Sequence, residues 1–468
     1  MLIYDLSKKG NVPIYDYLYT CIRTDIQEGK ITAGEKLPSK RELSTHLNIS
    51  INTVAAAYEQ LISEGYIRTE ERRGYYVEEV SGYKLPAKPK NKAAQKAAVV
   101  QSEKNFFADF KANRPSTKLF PASIWSRYMR EALSTDNRGL LEVVPYNGLY
   151  ELRYEISEYL HRVKGMEISP EQVIIGAGTE YLYGRLMQLF GRETIFAIED
   201  PGYKKFADIS ATYGNPWRYV PIDDSGLIID ELEESGADVV HLSPANHFPT
   251  GTIMPVTRRL QLFEWANRAK KRYIIEDDYD SEFRYSGRFI PPLFTEDVMD
   301  KVIYMNSFSK TLVPSIRISY MVLPTRLLKR FENTMSFYSC TVSSYEQYAL
   351  ARFIGQGHLE RHISRLKKYY SKQRILMIQA IKESPLNTIA EIKEKNAGTH
   401  FLLRVDTALT DEEIRKKAED LDINISLLSD YSYEKQSAGN AALIINYARI
   451  DREHIGEIVK KLEDIFMI

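Results

Sequence analysis

The 468-residue chain exceeds the length at which one core usually stops growing, so two or three domains are expected, and its 44% hydrophobic content can fill a large core. Its 63 Lys+Arg balance 63 Asp+Glu, which removes any argument from net charge for a nucleic-acid or membrane partner. The two cysteines, Cys21 and Cys340, have no metal-ligand spacing and fit a reducing compartment; with no leader pattern and no apolar run of spanning length, a cytoplasmic location is expected, with no metal and no membrane partner.

Pro13 opens a predicted helix in which Ile14, Leu18, Ile22 and Ile26 form one apolar stripe, and Gly29 ends it. Ser39 and Glu42 have the spacing of a capping box for a second helix. Ser50 caps a third, over about 51–64, with Gly65 as the residue after it. Two β-prone runs, Tyr66-Ile-Arg-Thr and Tyr75-Tyr-Val, follow as a hairpin or wing. A short helix, a tight turn and a second helix present the N-terminal side chains of the second to a major groove.

Residues 81–104 alternate Lys with Pro and Ala without a hydrophobic face and are expected to be a tether, whose Lys84, Lys88, Lys90, Lys92 and Lys96 can add phosphate contacts. Beyond 105 the pattern becomes that of an α/β domain with a mostly parallel sheet. The expected strands are 173–175, 195–198, 217–220, 239–242, 273–275, 302–305 and 318–323. In such sheets ligands bind beyond the strands' carboxyl ends, so the residues that follow each run should converge. They are Gly176-Ala-Gly-Thr179, Glu199-Asp-Pro-Gly-Tyr203, Ser243-Pro-Ala-Asn-His247, Glu276-Asp-Asp-Tyr279, and Ser307-Phe-Ser-Lys310 with Arg317. A phosphate cradle, an aromatic, a strand-end acid, a Tyr, a Lys and an Arg describe a site for pyridoxal 5′-phosphate, in which the acid keeps the ring nitrogen protonated and the lysine holds the aldehyde as a Schiff base.

Leu37-Pro-Ser-Lys-Arg-Glu-Leu-Ser44, Asn52-Thr-Val54, Glu64-Gly-Tyr66 and Gly74-Tyr-Tyr-Val77 resemble the winged helix-turn-helix of GntR-type bacterial regulators, over about 11–80. That resemblance implies double-stranded operator DNA as partner, contacted by Lys36, Ser39, Lys40, Arg41, Ser50, Asn52, Thr53, Tyr58, Arg72, Arg73 and Gly74. The strand-end residues resemble fold-type I aminotransferases of class I/II over roughly 115–465. This implies a PLP-binding effector and dimerisation domain at 105–468 with a small C-terminal α+β part. By that resemblance Lys310 binds the aldehyde, Asp277 pairs with the pyridine nitrogen, Tyr279 bonds the ring hydroxyl and Tyr203 stacks on the ring. Asn246-His247 replaces the common His-Gln of the loop that supports the ring hydroxyl, leaving Asn246 and His247 both open for that role, with His247 counted among the cofactor residues. Gly178, Thr179, Ser307, Ser309 and Arg317 hold the phosphate. Together the two parts resemble MocR-type regulators.

Four further departures from the family pattern bear on function. Ile51 stands where an Arg commonly follows the capping serine, and it offers a groove only apolar contact, as to a thymine methyl. Glu180 stands where Gln is common beside the phosphate, and Val143 where a Tyr commonly reaches the partner subunit. The arginine that grips a substrate carboxylate is replaced by Ile444, and the loop 426–431 offers Asp430 instead; Arg404, Arg449, Lys204 and Lys205 read as surface charges. The expected function is a homodimeric DNA-binding regulator that responds to an amine, an amino acid or the vitamer itself. The rivals are a working transaminase with a DNA-binding head and a DNA-binding protein whose large domain is only a scaffold.

Overall fold

The computed structural model describes residues 3–79, 106–111, 116–134, 138–287, 289–433 and 440–467, and the expected tether at 81–104 lies outside them. The chain divides into two units, Met1–Glu103 and Lys104–Ile468.

In the first unit, α1 (Ile14–Gln27) buries Leu18, Tyr19, Ile22 and Ile26 against α3 (Ile51–Ser63), which contributes Val54, Ala57, Tyr58 and Leu61. Between them α2 (Lys40–Leu47) starts at a complete capping box: the Glu42 amide donates to Ser39 Oγ at 3.2 Å and the Ser39 amide to Glu42 Oε2 at 2.8 Å. Ser50 Oγ accepts from the Thr53 amide at 3.1 Å to start α3. Each such cap stabilises its helix by about 1 kcal/mol, enough to fix the turn between two helices too short to persist alone. The wing is β2 (Ile67–Glu70) against β3 (Gly74–Val77), with β1 (Lys36–Leu37) on the other side of β3.

The second unit is built on eight strands, named here in chain order as β4 (Val173–Gly176), β5 (Phe196–Asp200), β6 (Trp217–Asp223), β7 (Gly226–Leu227), β8 (Val239–Leu242), β9 (Tyr273–Asp277), β10 (Val302–Ser307) and β11 (Ser319–Val322). Their spatial order is β4-β11-β10-β9-β8-β5-β6-β7. The central pairs are parallel, while β11 runs antiparallel to both β4 and β10, and β7 antiparallel to β6. Side chains of β4 enter two separate cores, Val173 and Ile175 on one face and Ile174 on the other. Burial on both faces explains why the central strands read as near-continuous apolar runs, whereas β6 alternates with Arg218 exposed. The reversed β11 has a functional consequence, because its beginning, just after Arg317, lies at the edge where the other strands end.

A smaller antiparallel sheet, β12 (Ala390–Lys393), β13 (His400–Asp406) and β14 (Asn440–Asn446), sits in the C-terminal part. One face feeds its own core through Phe401, Leu403, Leu443 and Ile445. Val143, the position where the family pattern places a Tyr, is 78% exposed.

Candidate functional site

The carboxyl ends of β4, β5, β8, β9 and β10 surround a cavity of about 510 Å³. Eight of the ten sequence-derived cofactor residues line it: Thr179, Tyr203, Asp277, Tyr279, Ser307, Ser309, Lys310 and Arg317. A ninth, Gly178, is the N-cap of α4 (Thr179–Phe190) with φ +97°, and a Cβ there would stand 2.5 Å from Arg317 Nη2 and 2.9 Å from Glu180 Oε2. Only glycine lets that arginine and that carboxylate close over the turn.

Lys310 lies in the single helical turn Phe308–Thr311 directly after β10, with Nζ 5.9 Å from the centre of the Tyr279 ring. Burial lowers its amine to about 8, opposed by the carboxylates of Asp280 and Asp277. A substantial neutral fraction near physiological pH is what an amine needs to attack a carbonyl. Asp280 is itself buried and held above the ordinary carboxylate range by desolvation, with Asn246 Nδ2 donating to its two oxygens at 2.9 and 3.1 Å.

Asp277 Oδ2 accepts a 2.7 Å hydrogen bond from Tyr183, whose hydroxyl lies 3.0 Å from His241 Nε2, and His241 Nε2 is 3.5 Å from the same carboxylate oxygen. Phe206 stacks on the His241 ring at 4.4 Å. Tyr183 and His241 therefore fix the orientation of the acid, and neither stood out in the sequence; the signal was one histidine inside an otherwise apolar strand. Tyr203 is the N-cap of α5 (Lys204–Tyr213), and burial raises its phenol well above the ordinary value, so it stays neutral. Across the cavity, Ser307 Oγ accepts from the Ser309 amide at 3.2 Å and from Ser319 Oγ at 2.8 Å. Arg317 and Lys205 both donate to Glu180, the latter at 2.8 Å. Lys205, read as a surface charge, is thus part of the cavity wall.

His247 requires correction. It is 2% exposed, lies behind Glu199 rather than on the cavity wall, and its Nδ1 is 2.7 Å from Thr250 Oγ1. The neighbouring Asn246 is the one that reaches the Tyr279 hydroxyl, through Nδ2 at 3.4 Å, because the loop turns the two side chains to opposite sides. Burial lowers His247 to about 3 and raises Glu199 to about 8, with the Ser243 amide opposing the latter shift. A protonated Glu199 can turn its proton toward His247 Nε2, 3.5 Å away.

The pH consequence has a definite sign. A carboxyl whose folded pKa lies above its unfolded value favours folding fully at low pH, and that contribution is lost as pH rises toward the folded value. Raising pH from about 5 to about 9 should therefore lower the unfolding temperature of the large unit, and Glu199→Gln should reduce the slope by roughly a third, because Glu276, also raised to about 8 by burial, and the buried Asp280, raised as well, keep their shares. An unchanged slope in thermal melts of the variant would remove Glu199 from this account.

The strand that carries the family's carboxylate-binding arginine presents Ile444 here, buried and paired with Leu402 of β13. Asp430 is occupied by Arg415 at 2.6 Å and by the Leu427 amide at 2.9 Å, while Arg404 and Arg449 are exposed. Phe248 and Tyr431, whose rings meet at 4.8 Å, line this side of the cavity.

In the first unit Asn52, Arg41, Lys36, Arg72 and Arg73 are exposed around α2, α3 and the wing. Arg72 adopts φ +62° in the wing turn, next to Gly74 at φ +112°. Ser39, Ser50 and Thr53 are engaged in caps, and Lys40 Nζ lies 3.8 Å from Glu59 and 5.5 Å from the Tyr75 ring centre. Tyr58 requires a second correction. It is fully buried, and its hydroxyl donates to Pro38 O at 2.9 Å, so it anchors the chain entering α2 instead of facing DNA. Its place four residues after Val54 puts it on the core face of α3.

Residues 109–462 match the family Aminotransferase class I and II, and residues 14–77 match Bacterial regulatory proteins, gntR family. The HTH-type transcriptional regulator YdeL of Bacillus subtilis (strain 168) is 36% identical over 464 residues, 99% of each chain. The probable rhizopine catabolism regulatory protein MocR of Rhizobium meliloti is 29% identical over 474 residues, 99% of this chain and 95% of that one. Among solved structures, an archaeal alanine:glyoxylate aminotransferase shares the fold, with TM-score 0.68 at 23% identity over 77% of this chain and 90% of its own. The chain belongs to the MocR-type transcriptional regulators, in which a GntR-type helix-turn-helix head is joined to a class I/II aminotransferase domain.

Proposed function

We propose that the large unit holds pyridoxal phosphate covalently on Lys310 and that occupancy of this cavity by the vitamer, an amine or an amino acid changes how the heads engage operator DNA. The observation that carries this reading is the grouping of a partly neutral buried lysine, an oriented acid and an anion-binding end around one cavity. The donor set fits the cofactor. Arg317, Lys205, Thr179, Ser307 and Ser309 offer cationic and hydroxyl groups to a phosphate, and the Gly178 turn leaves room for them. Asp277, fixed by Tyr183 and His241, holds a proton on a ring nitrogen; Tyr203 and Tyr279 supply faces and a hydroxyl. When bound, the pyridine ring supplies an electron sink.

Ile444 favours sensing over turnover, since no guanidinium stands on that strand to orient an α-carboxylate for repeated transamination. A ligand shifts the heads only by its differential affinity for their two arrangements. A cytoplasmic homodimer with paired half-sites completes the proposal; among the described residues no helix is long and apolar enough to cross a membrane. The test is a titration of pyridoxal phosphate and candidate amines against the protein bound to its own upstream DNA. A saturable change in DNA affinity is expected with at least one of them. DNA affinity that none of them alters, in a protein that also takes up no pyridoxal phosphate, would reduce the large unit to a scaffold.

A further inference from the structure

At the anion-binding end of the cavity the cations are already matched with a carboxylate. Glu180 Oε2 accepts from Arg317 Nη2, and Glu180 Oε1 accepts from Lys205 Nζ at 2.8 Å. Glu180 is the second residue of α4, and with Arg317 it covers the Gly178 turn at the start of that helix. The side chains of the trio are 51%, 33% and 50% exposed for Arg317, Glu180 and Lys205. Water and small anions therefore reach them without the fold opening.

A glutamate in this place is costly for any incoming dianion. If it stays, a carboxylate faces a phosphate at close range; if it leaves, two charge-assisted bonds break before new ones form. The neighbouring groups do not remove that conflict, because Thr179, Ser307 and Ser309 are neutral.

We propose that Glu180 is a built-in competitor for the phosphate subsite: it occupies Arg317 and Lys205 in the free protein, must be displaced by a ligand phosphate, and so sets phosphate-bearing ligands to reversible, concentration-dependent occupancy. This rests on the cofactor reading for the identity of the natural ligand but not for the competition itself. The consequence for a sensor is direct. A site saturated at all times reports nothing, whereas one weakened at the phosphate end responds to changing ligand levels.

Two probes separate the effects. Pyridoxal phosphate and pyridoxal share the aldehyde and differ in the phosphate, and both are titrated into wild type and Glu180→Gln while the visible band dependent on Lys310 is followed. The variant should bind pyridoxal phosphate about tenfold more tightly, the low end of what a neighbouring like charge does to an ionised group, and bind pyridoxal unchanged. Inorganic phosphate, followed by calorimetry on the same two proteins, should show the same gain. Equal gains for both aldehydes, or weaker phosphate binding in the variant, would overturn the proposal. If neither aldehyde gives a band in wild type, the cofactor reading fails, and the calorimetric comparison with inorganic phosphate still decides the role of Glu180.

Discussion

Replacing Lys164 by Met should destabilise the large unit by about 3–5 kcal/mol, the cost of leaving buried carboxylates without their cation. The Lys164 side chain is fully buried, and Nζ contacts Asp278, lies 3.3 Å from Glu282, and donates to Ser281 Oγ at 2.7 Å and Tyr304 at 2.9 Å. Burial alone would lower its amine, but Asp278 and Glu282 outweigh it and hold the pKa above the ordinary lysine value. The charge is thus present across the physiological range, and this contribution to stability disappears only at strongly alkaline pH. Met keeps the stem's volume and removes the ammonium, so the loss measures the charge rather than a cavity. Adding Asp278→Asn should recover part of the loss, because one stranded carboxylate is then neutral while Tyr304 keeps a hydrogen-bond partner at 2.6 Å. Thermal unfolding, resolved into separate transitions for the two units, is the measurement. A shift in the single variant no larger than that of a surface lysine would show that the network contributes nothing.

The same network marks the limit of what the sequence discloses. His161-Arg-Val-Lys164-Gly165 reads as the solvated end of a helix, with cations near the C-terminal carbonyls and a glycine after them. Nothing local says that Lys164 turns inward to meet a loop more than a hundred residues later. The acids that follow Ile275 were legible as strand-end residues facing a site. The division of labour among them was not: Glu276 accepts from the Leu293 and Phe294 amides, Asp277 faces the cavity, Asp278 and Glu282 take Lys164, and Asp280 takes Asn246. Alternation along the strand turns Asp277 away from Glu276 and Asp278, and only the fold supplies their separate partners.

All seven expected strands occur; both-sided burial writes an apolar run into six of them, whereas Trp217–Asp223 alternates between buried or half-buried and exposed residues. Strand order and the reversal of β11 depend on long-range pairing and left no local trace. Tyr58 and His247 failed for a shared reason. A side chain that can hydrogen-bond was assigned to a ligand, when the helix face in one case and the loop's turn in the other direct it to the protein's own interior. Lys205 is solvated as expected, its side chain 50% exposed, and what the sequence left unseen is that it also pairs with Glu180 on the cavity wall.

Lys310→Ala should abolish covalent capture of pyridoxal phosphate, so that the visible band that the wild type shows at saturating pyridoxal phosphate is absent from the variant. The argument follows from what surrounds the amine. It is buried, its pKa is lowered to about 8 chiefly by desolvation, and the carboxylates of Asp280 and Asp277 pull the other way. The neutral amine is the nucleophile, so capture by cofactor-free protein should accelerate as pH rises through about 8. Asp280→Asn removes the larger of the two opposing charges and should move that rise to lower pH, making capture at neutral pH faster than in wild type. Asp277 and Arg317, which in the proposed reading hold the other ends of the ligand, are untouched by either change. Lys310→Ala should therefore still bind pyridoxal phosphate weakly and release it on dilution, a behaviour that separates loss of the covalent link from loss of the site. A variant that still shows the band at saturating pyridoxal phosphate would mean that another amine carries the aldehyde, and Lys205, on the same cavity wall, would be the next residue to replace.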